Sequence, residues 1–207
     1  MTSSTRRRDA VANKEAILDA AAELLRRSPQ APLDRIAAAA GLTRRALYGH
    51  FASRDELLRE LLDRGAAHIS RALEGVRHDD PAVHVALLGS AIWRTIAHVK
   101  LVVQMLVTGP LEHAVGEAVA PLRRSLRDAV ERGCADGSFR QDATPQVVTR
   151  LVEEAALSVL DVAVARDLPD DDAQRILIAT ALGVAGLSWR DAQDAIARAD
   201  LAAEAAA

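Results

Sequence analysis

The fold of this chain is decided by residues 33–58, which read Leu-Asp-Arg-Ile-Ala-Ala-Ala-Ala-Gly-Leu-Thr-Arg-Arg-Ala-Leu-Tyr-Gly-His-Phe-Ala-Ser-Arg-Asp-Glu-Leu-Leu. This stretch predicts two short helices that meet at a turn formed by Gly41, Leu42 and Thr43. Gly41 can adopt a positive φ at little cost, as a sharp helix end requires. Thr43 can cap the next helix by accepting a backbone N–H. The pattern is therefore that of a helix-turn-helix.

The second helix of this motif has two distinct sides. Arg44 and Arg45 lie in its first turn, whereas Leu47 and Phe51 lie four residues apart on the other side. Such a helix suits insertion into the DNA major groove. An arginine guanidinium can bond to both O6 and N7 of guanine, so we expect at least one of the two arginines to read a base. The alternative is that both contact only phosphate or solvent.

On these residues the chain resembles the tetracycline-repressor (TetR) family of bacterial one-component transcription regulators. The family pattern comprises an apolar first helix, Ile-Ala-x-x-Ala-Gly, a cap, and Leu-Tyr-x-His-Phe-x-Ser-Lys. The matching segments here are ILDAA at 17–21, IAAAAG at 36–41, Thr43, and LYGHFASR at 47–54. The match is dense over roughly residues 10–60 and concerns only shared architecture beyond them.

The resemblance implies DNA contacts for specific side chains. Tyr48 and His50 stand at the family's Tyr-x-His positions, although the Tyr48 ring could pack on the core and His50 could cap its helix. Arg54 stands where the family usually has Lys and is expected at a phosphate, and Thr43 can bond a phosphate as well as cap. Gly49 permits close backbone approach, and Lys14 adds a phosphate contact unless it is only a solvated charge. The predicted DNA-binding residues are Lys14, Thr43, Arg44, Arg45, Tyr48, Gly49, His50 and Arg54.

Composition favours an all-α protein, because Ala, Leu and Arg dominate and aromatic residues are only 2%. The net charge is −3, but residues 1–64 hold 12 Lys and Arg against 9 Asp and Glu, which directs a polyanion to the N-terminal end. The single cysteine, Cys134, excludes an internal disulfide framework and fits a reducing cytoplasm, where we expect the protein to act. We expect no signal peptide and no membrane span.

Enzyme motifs are absent from the sequence. It contains no Gly-rich phosphate loop, no His-Glu-x-x-His and no nucleophile elbow, and its six histidines have no metal-ligand spacing. We therefore expect no catalytic residues, no metal site and no cofactor.

The chain divides into four predicted segments. Residues 1–9 form a disordered basic arm, 10–56 the DNA-binding domain with its first helix starting near Ala10, 57–200 a helical effector-binding and dimerisation domain, and 201–207 an Ala-rich tail. Helices are expected over 145–166 and 171–189, both with extensive apolar surface. The resemblance implies that these two helices pair with those of a second copy as a four-helix bundle.

The resemblance also implies that the middle helices enclose an inducer pocket. Polar or aromatic residues within the apolar body are candidates for contacting the ligand, although each could equally be a satisfied core or interface group. The candidates are Trp93, His98, Gln104, Met105, Thr108, His113, Glu154, Ser158 and Trp189. The predicted function is a homodimeric, ligand-responsive regulator, a repressor that leaves a palindromic double-stranded operator when a small-molecule effector binds. The alternative is a DNA-binding regulator controlled by a protein partner or by its own abundance.

Overall fold

The computed structural model describes residues 2–97, 103, 116, 117 and 119–205, with side chains from residue 8 onward. All regular secondary structure in these ranges is helical, which confirms the predicted all-α fold class. The helices are α1 (Thr2–Arg27), α2 (Leu33–Ala39), α3 (Arg44–His50), α4 (Arg54–Ala72), α5 (Pro81–Ile96), α6 (Ala120–Asp136), α7 (Pro145–Ala165), α8 (Asp170–Val184) and α9 (Trp189–Ala205). None of them combines the length and apolar character needed to cross a membrane.

The described residues fall into two compact units. One contains residues 2–67 together with 103, 116 and 117, and the other contains 68–97 and 119–205, so the division along the first part of the chain lies within α4. The predicted boundary at residue 56 lies earlier, close to the start of α4. A continuous helix carries no loop at the division, so the sequence offers no local signal for it.

The first unit is built around one apolar cluster. Helix α1 contributes its apolar stripe, and α2, α3 and the start of α4 close over it. The cluster consists of Ile17, Leu18, Ala21, Leu25, Ala31, Leu33, Ile36, Ala37, Leu47, Phe51, Leu57, Leu58 and Leu62. A short helix such as α3 is marginal by itself and depends on this packing for its orientation.

The turn between α2 and α3 has the predicted geometry. Gly41 adopts a φ of 68°, and its N–H donates to the Ala38 carbonyl at 3.1 Å. The N–H of Leu42 donates to the Ala37 carbonyl at 2.9 Å. These two bonds form a Schellman motif, which satisfies carbonyls at the end of α2 and needs a left-handed residue in this place.

The segment predicted for DNA binding begins within α1 and ends at the start of α4. At the start of α4, Ser53 Oγ accepts the Glu56 N–H at 3.2 Å, and the Glu56 carboxylate accepts the Ala52 N–H at 2.6 Å. This is a capping-box arrangement, with Glu56 reaching one residue further back than the cap itself. Helix α1, however, begins at Thr2 rather than near Ala10, so residues 2–9 are helical and not a disordered arm. The good helix formers at Arg6, Arg7 and Arg8 allow α1 to extend this far.

The second unit is organised around α5, which is buried on nearly every side. Asp80 caps it by accepting the N–H groups of Ala82 and Val83 at 2.8 and 3.2 Å. Helices α6, α8 and α9 pack against α5, and α7 packs against α6 and α8. A Cβ added at Gly89 would lie 2.7 Å from Ile178 Cγ1, so this glycine sets the close approach of α5 and α8.

The predicted helix over 171–189 is wrong as a single element. Helix α8 ends at Val184, and Gly186 follows with a φ of 110°, a conformation that residues with side chains rarely adopt. Ser188 then caps α9, with its Oγ accepting the Asp191 N–H at 3.3 Å. Helix α9 continues through residues 201–205 of the Ala-rich tail.

Candidate nucleic-acid interface

Helix α3 presents one side to the core and the other to solvent. Thr43 caps it, with Oγ1 accepting the Ala46 N–H at 3.2 Å, as the sequence predicted. Leu47 and Phe51 are buried and fix the inner side of the helix. Arg44 and Arg45 lie at the capped end on the exposed side. This arrangement offers two cations at the positive end of a helix dipole, where a polyanion is attracted.

Arg44 is held by two neighbours. Its Nη1 donates to Oδ2 of Asp34 at 2.8 Å, and its Cζ lies 5.4 Å from the centre of the Tyr48 ring. That second distance is within the range of a cation–π contact. Asp34 lies in the first turn of α2 and was not among the sequence candidates. The only indication of Asp34 in the sequence was its position as an acidic residue in the first turn of α2, the helix before α3.

Arg45 differs from its neighbour. It is exposed and has no ion-pair or hydrogen-bond partner among the described residues. Gly49 is also exposed, and a Cβ added there would have no neighbour within 4 Å. His50 is the last residue of α3 and is half-buried. Arg45, Tyr48 and Gly49 are therefore accessible to a ligand of the first unit.

Two of the predicted phosphate contacts have partners within the protein. The Arg54 guanidinium donates to the carbonyls of Ala31 and Pro29, each at 2.5 Å, and so fixes the loop between α1 and α2. Lys14 Nζ lies 2.6 Å from the Glu60 carboxylate, which joins α1 to α4. The structure thus gives both cations a role in holding the first unit together.

The effector candidates are dispersed or lie outside the described residues. His98, Gln104, Met105, Thr108 and His113 lie outside the described residues. Trp93 is only 1% exposed, and its Nε1 has no hydrogen-bond acceptor among the residues that the structure describes. Trp189 is 73% exposed at the start of α9. Glu154 and Ser158 are exposed on α7, so they do not line an enclosed site with Trp93.

An apolar stripe on α7 is open to solvent. Val147, Leu151, Glu154, Ser158 and Val162 recur every three or four residues, which places them on one face of the helix. We call these five residues the α7 stripe. Its three apolar members are among the most exposed large hydrophobic residues of the second unit. Exposed apolar residues in such a row are typical of an interaction surface.

The family comparison identifies the motif of the first unit. Residues 17–61 match the model of the bacterial regulatory proteins of the tetR family. This span begins within α1 and includes α2, the turn at Gly41, α3 and the start of α4. The comparison with curated proteins found no match.

Solved structures share the fold at low sequence identity. The transcriptional regulator FadR from Bacillus subtilis, in complex with stearoyl-CoA, is 17% identical over 83% of this chain and 97% of its own, with a TM-score of 0.70. RolR in complex with resorcinol is 17% identical over 92% of this chain and 96% of its own, with a TM-score of 0.63. LfrR from Mycobacterium smegmatis, in complex with proflavine, is 17% identical over 85% of this chain and 96% of its own, with a TM-score of 0.60.

These findings confirm the family that the sequence indicated. The matched segment contains the residues that form the helix-turn-helix, and the helical body has the fold of solved regulators. The family consists of regulators and not of enzymes. Residues 17–61 of the chain thus match the N-terminal helix-turn-helix of the tetR family of bacterial regulatory proteins, and the body has the fold of solved regulators.

Proposed function

We propose that the protein is a homodimeric repressor that binds a palindromic operator through α3 and is released by a small-molecule effector. The observation that carries this proposal is the capped α3 helix. It places Arg44 and Arg45 on an exposed face, while Leu47 and Phe51 fix its other face to the core. Since its target is DNA, the protein acts in the cytoplasm.

Operator reading rests on the chemistry of the exposed face. A guanidinium that bonds to O6 and N7 of guanine discriminates bases by about 1–3 kcal/mol. Phosphate contacts add affinity without sequence preference and make binding sensitive to salt. At least one of Arg44 and Arg45 therefore provides the specific part of the interaction, and Thr43 and Tyr48 contribute to its position on the backbone.

Dimerisation is supported by the α7 stripe. A second copy of the same stripe would cover Val147, Leu151 and Val162, which are left exposed in one chain. The exposure of Glu154 and Ser158 fits this subunit interface better than an enclosed ligand site. A two-fold dimer would place two α3 helices about 34–36 Å apart, on successive turns of the major groove.

Effector control is supported by Trp93. Its buried indole N–H lacks an acceptor among the described residues, and a ligand carbonyl or carboxylate could supply one. Solved neighbours contain stearoyl-CoA, resorcinol and proflavine. The scarcity of aromatic side chains favours a small or aliphatic ligand over a flat ring system. Control of this kind requires the ligand to bind the DNA-free arrangement more tightly than the DNA-bound one.

The first experiment selects duplexes from a random pool with the purified full chain. We expect a palindrome with guanine near each recognition helix. The variant with both Arg44→Ala and Arg45→Ala should lose its sequence preference and retain weak, salt-sensitive binding. If this variant keeps the full ratio of specific to non-specific affinity at fixed salt, the assignment of base reading to these arginines is wrong.

A second experiment tests effector control on the selected duplex. Stearoyl-CoA, resorcinol and proflavine are titrated into the protein–DNA complex, and release is followed by fluorescence anisotropy. We expect one of them to release the duplex and Trp93→Phe, which removes the N–H, to weaken that release. If none changes operator affinity, control by a protein partner or by abundance becomes the better explanation.

A further inference from the structure

We propose that Asp34 is a positioning residue for operator recognition, which holds Arg44 for base reading and leaves Arg45 for the phosphate backbone. This inference rests on the proposed function of α3 in DNA binding. It assigns different roles to Arg44 and Arg45, which the sequence alone does not distinguish. The juxtaposition that carries it is the Asp34 carboxylate on α2 against the Arg44 guanidinium on α3.

Two contacts hold the Arg44 guanidinium in place. Arg44 Nη1 donates to Asp34 Oδ2 at 2.8 Å, and the Tyr48 ring lies 5.4 Å from Arg44 Cζ. The two contacts come from different helices and act on the same planar group. An arginine side chain has many rotamers, and two such contacts restrict where its guanidinium can lie. The cost of ordering Arg44 is therefore reduced before DNA arrives.

Arg44 keeps hydrogen-bond donors for DNA after its contact with Asp34. A guanidinium has five N–H donors, and the contact with Asp34 uses one of them. The other donors are free to form the paired bonds to guanine O6 and N7. The nearby carboxylate also offsets the positive charge of Arg44, which weakens its attraction to phosphate. The Asp34 carboxylate repels a negatively charged phosphate more strongly than it repels guanine, whose two acceptors are neutral.

The ion pair between Arg44 and Asp34 lies on the surface of the first unit. The side chains of Arg44 and Asp34 are 67% and 51% exposed. An ion pair this exposed contributes little to the stability of the fold. An acidic group beside a DNA-binding helix also lowers general affinity for a polyanion. A role in orienting Arg44 accounts for the carboxylate, whereas a role in folding or in general affinity does not.

Arg45 can be compared with Arg44 on the same helix. It is the next residue of the same helix, is exposed, and has no partner among the described residues. The charge of Arg45 is not offset by a neighbouring carboxylate in the described part of the chain, and its side chain is free to move. Both properties suit a phosphate contact, which does not require a precisely oriented partner. We therefore expect Arg44 to set base preference and Arg45 to set salt-dependent affinity.

The test uses the full chain and six proteins: the wild type, Asp34→Asn, Arg44→Ala, Arg45→Ala, and the two double variants that combine Asp34→Asn with each arginine change. Asparagine keeps the size of the side chain and removes its charge. Each protein is titrated at several KCl concentrations with the selected duplex, with duplexes changed at one base pair, and with an unrelated duplex of equal length. Far-UV circular dichroism checks that every variant is folded.

We expect Asp34→Asn to lower discrimination at one symmetric base position by roughly tenfold, a loss within the range of one bidentate contact. It should also bind the unrelated duplex more tightly and steepen the salt dependence by about one unit per recognition helix, because Arg44 then reaches a phosphate. Arg44→Ala should remove the discrimination between bases at the same position, and Asp34→Asn should then have no further effect. Arg45→Ala should weaken all duplexes alike and leave the effect of Asp34→Asn intact.

Three results would overturn the inference. Asp34→Asn could leave both the base profile and the salt dependence unchanged, or it could have the same effect when Arg44 is already Ala. In either case operator reading by α3 stands and only the role of Asp34 is lost. If the wild type itself enriches no duplex, the proposed function fails and the role of Asp34 fails with it.

Discussion

Arg132 Nη2 lies 2.7 Å from Nδ1 of the buried His84 ring. Arginine can only donate, so Nδ1 is the acceptor and the ring is neutral, with its proton on Nε2. That nitrogen lies 3.1 Å from Ser125 Oγ and can donate to it. Arg132 also donates to the Asp79 carbonyl at 2.6 Å. His84 thus connects α5, α6 and the segment before α5 through a set of bonds that requires its neutral form.

This set of bonds makes the stability of the second unit depend on pH. Burial lowers the pKa of His84 below its ordinary value of 6.5 and the charges of Arg132 and Arg77 lower it further, whereas Asp128 and a backbone hydrogen bond with Val76 partly oppose them. The fold therefore favours the neutral ring, and its contribution is complete above pH 6.5 and decreases as the pH falls below that value. We expect the urea midpoint of the wild type to fall between pH 7.5 and 5.

The control for this prediction is His84→Asn, which keeps an acceptor for Arg132 and does not titrate. Asp80, which caps α5, is another shifted group nearby. Burial raises its pKa, but the bonds from Arg198 and from the Val83 and Ala82 N–H groups lower it below 3.8 overall. Asp80 therefore stays charged over the range tested. If the urea midpoints of the wild type and of His84→Asn fall in parallel as the pH is lowered, the pH dependence comes from other groups.

Arg54 provides a test between structural and DNA-binding roles. Its bonds to the Ala31 and Pro29 carbonyls come from a charged donor in a half-buried position. Bonds of this kind contribute about 1.5–3 kcal/mol, so Arg54→Ala should lower the unfolding free energy by about 2 kcal/mol. Chemical denaturation measures this change. Arg54→Lys, which keeps the charge and loses the planar fork, should recover only part of it.

The same variants decide whether Arg54 also contacts phosphate. If its role is only structural, the salt dependence of operator binding stays unchanged in Arg54→Ala, measured where the protein is fully folded. A salt dependence shallower by about one unit per recognition helix, at unchanged stability, would instead support the phosphate contact.

Gly89 sets the spacing of α5 and α8. A methyl group there would lie 2.7 Å from Ile178 Cγ1 and 3.3 Å from Leu177 Cδ2, and both side chains are buried. Overpacking of this kind costs about 1–3 kcal/mol, so Gly89→Ala should lower the thermal midpoint of the chain. Combining it with Ile178→Ala should cost less than the sum of the two single changes, because the new methyl group fills part of the space that Ile178 vacates. Strict additivity would contradict the contact.

The α7 stripe predicts the oligomeric state. Replacing Leu151 with Glu places a charge in the middle of the proposed interface and should convert the dimer to monomer, as measured by light scattering. Operator affinity should fall with it, because each half-site is then bound independently. The matched control is Leu201→Glu, another exposed leucine of the second unit, which lies outside the stripe on α9. A dimer that survives Leu151→Glu would place the interface elsewhere.

The sequence was sufficient for features that depend on neighbours along the chain. The positive φ of Gly41, the Thr43 cap and the burial of Leu47 and Phe51 follow from residues within one or two helical turns. The end of α8 at Gly186 was missed although its cause is equally local, because the apolar periodicity continues beyond the break. Periodicity reports which residues share a face, and it does not report whether the helix is interrupted.

The sequence by itself thus determined the all-α class, the helix-turn-helix and the outward position of Arg44 and Arg45. Only the tertiary structure decided that Asp34 holds Arg44, that Arg54 bonds to the loop before α2, and that Trp93 is buried while Glu154 is exposed. Caps and turns are set by bonds between close neighbours in the chain, which a motif records. The partner of a long charged side chain, and the face of a helix that is covered, depend on how separate helices pack, and no local pattern specifies that packing.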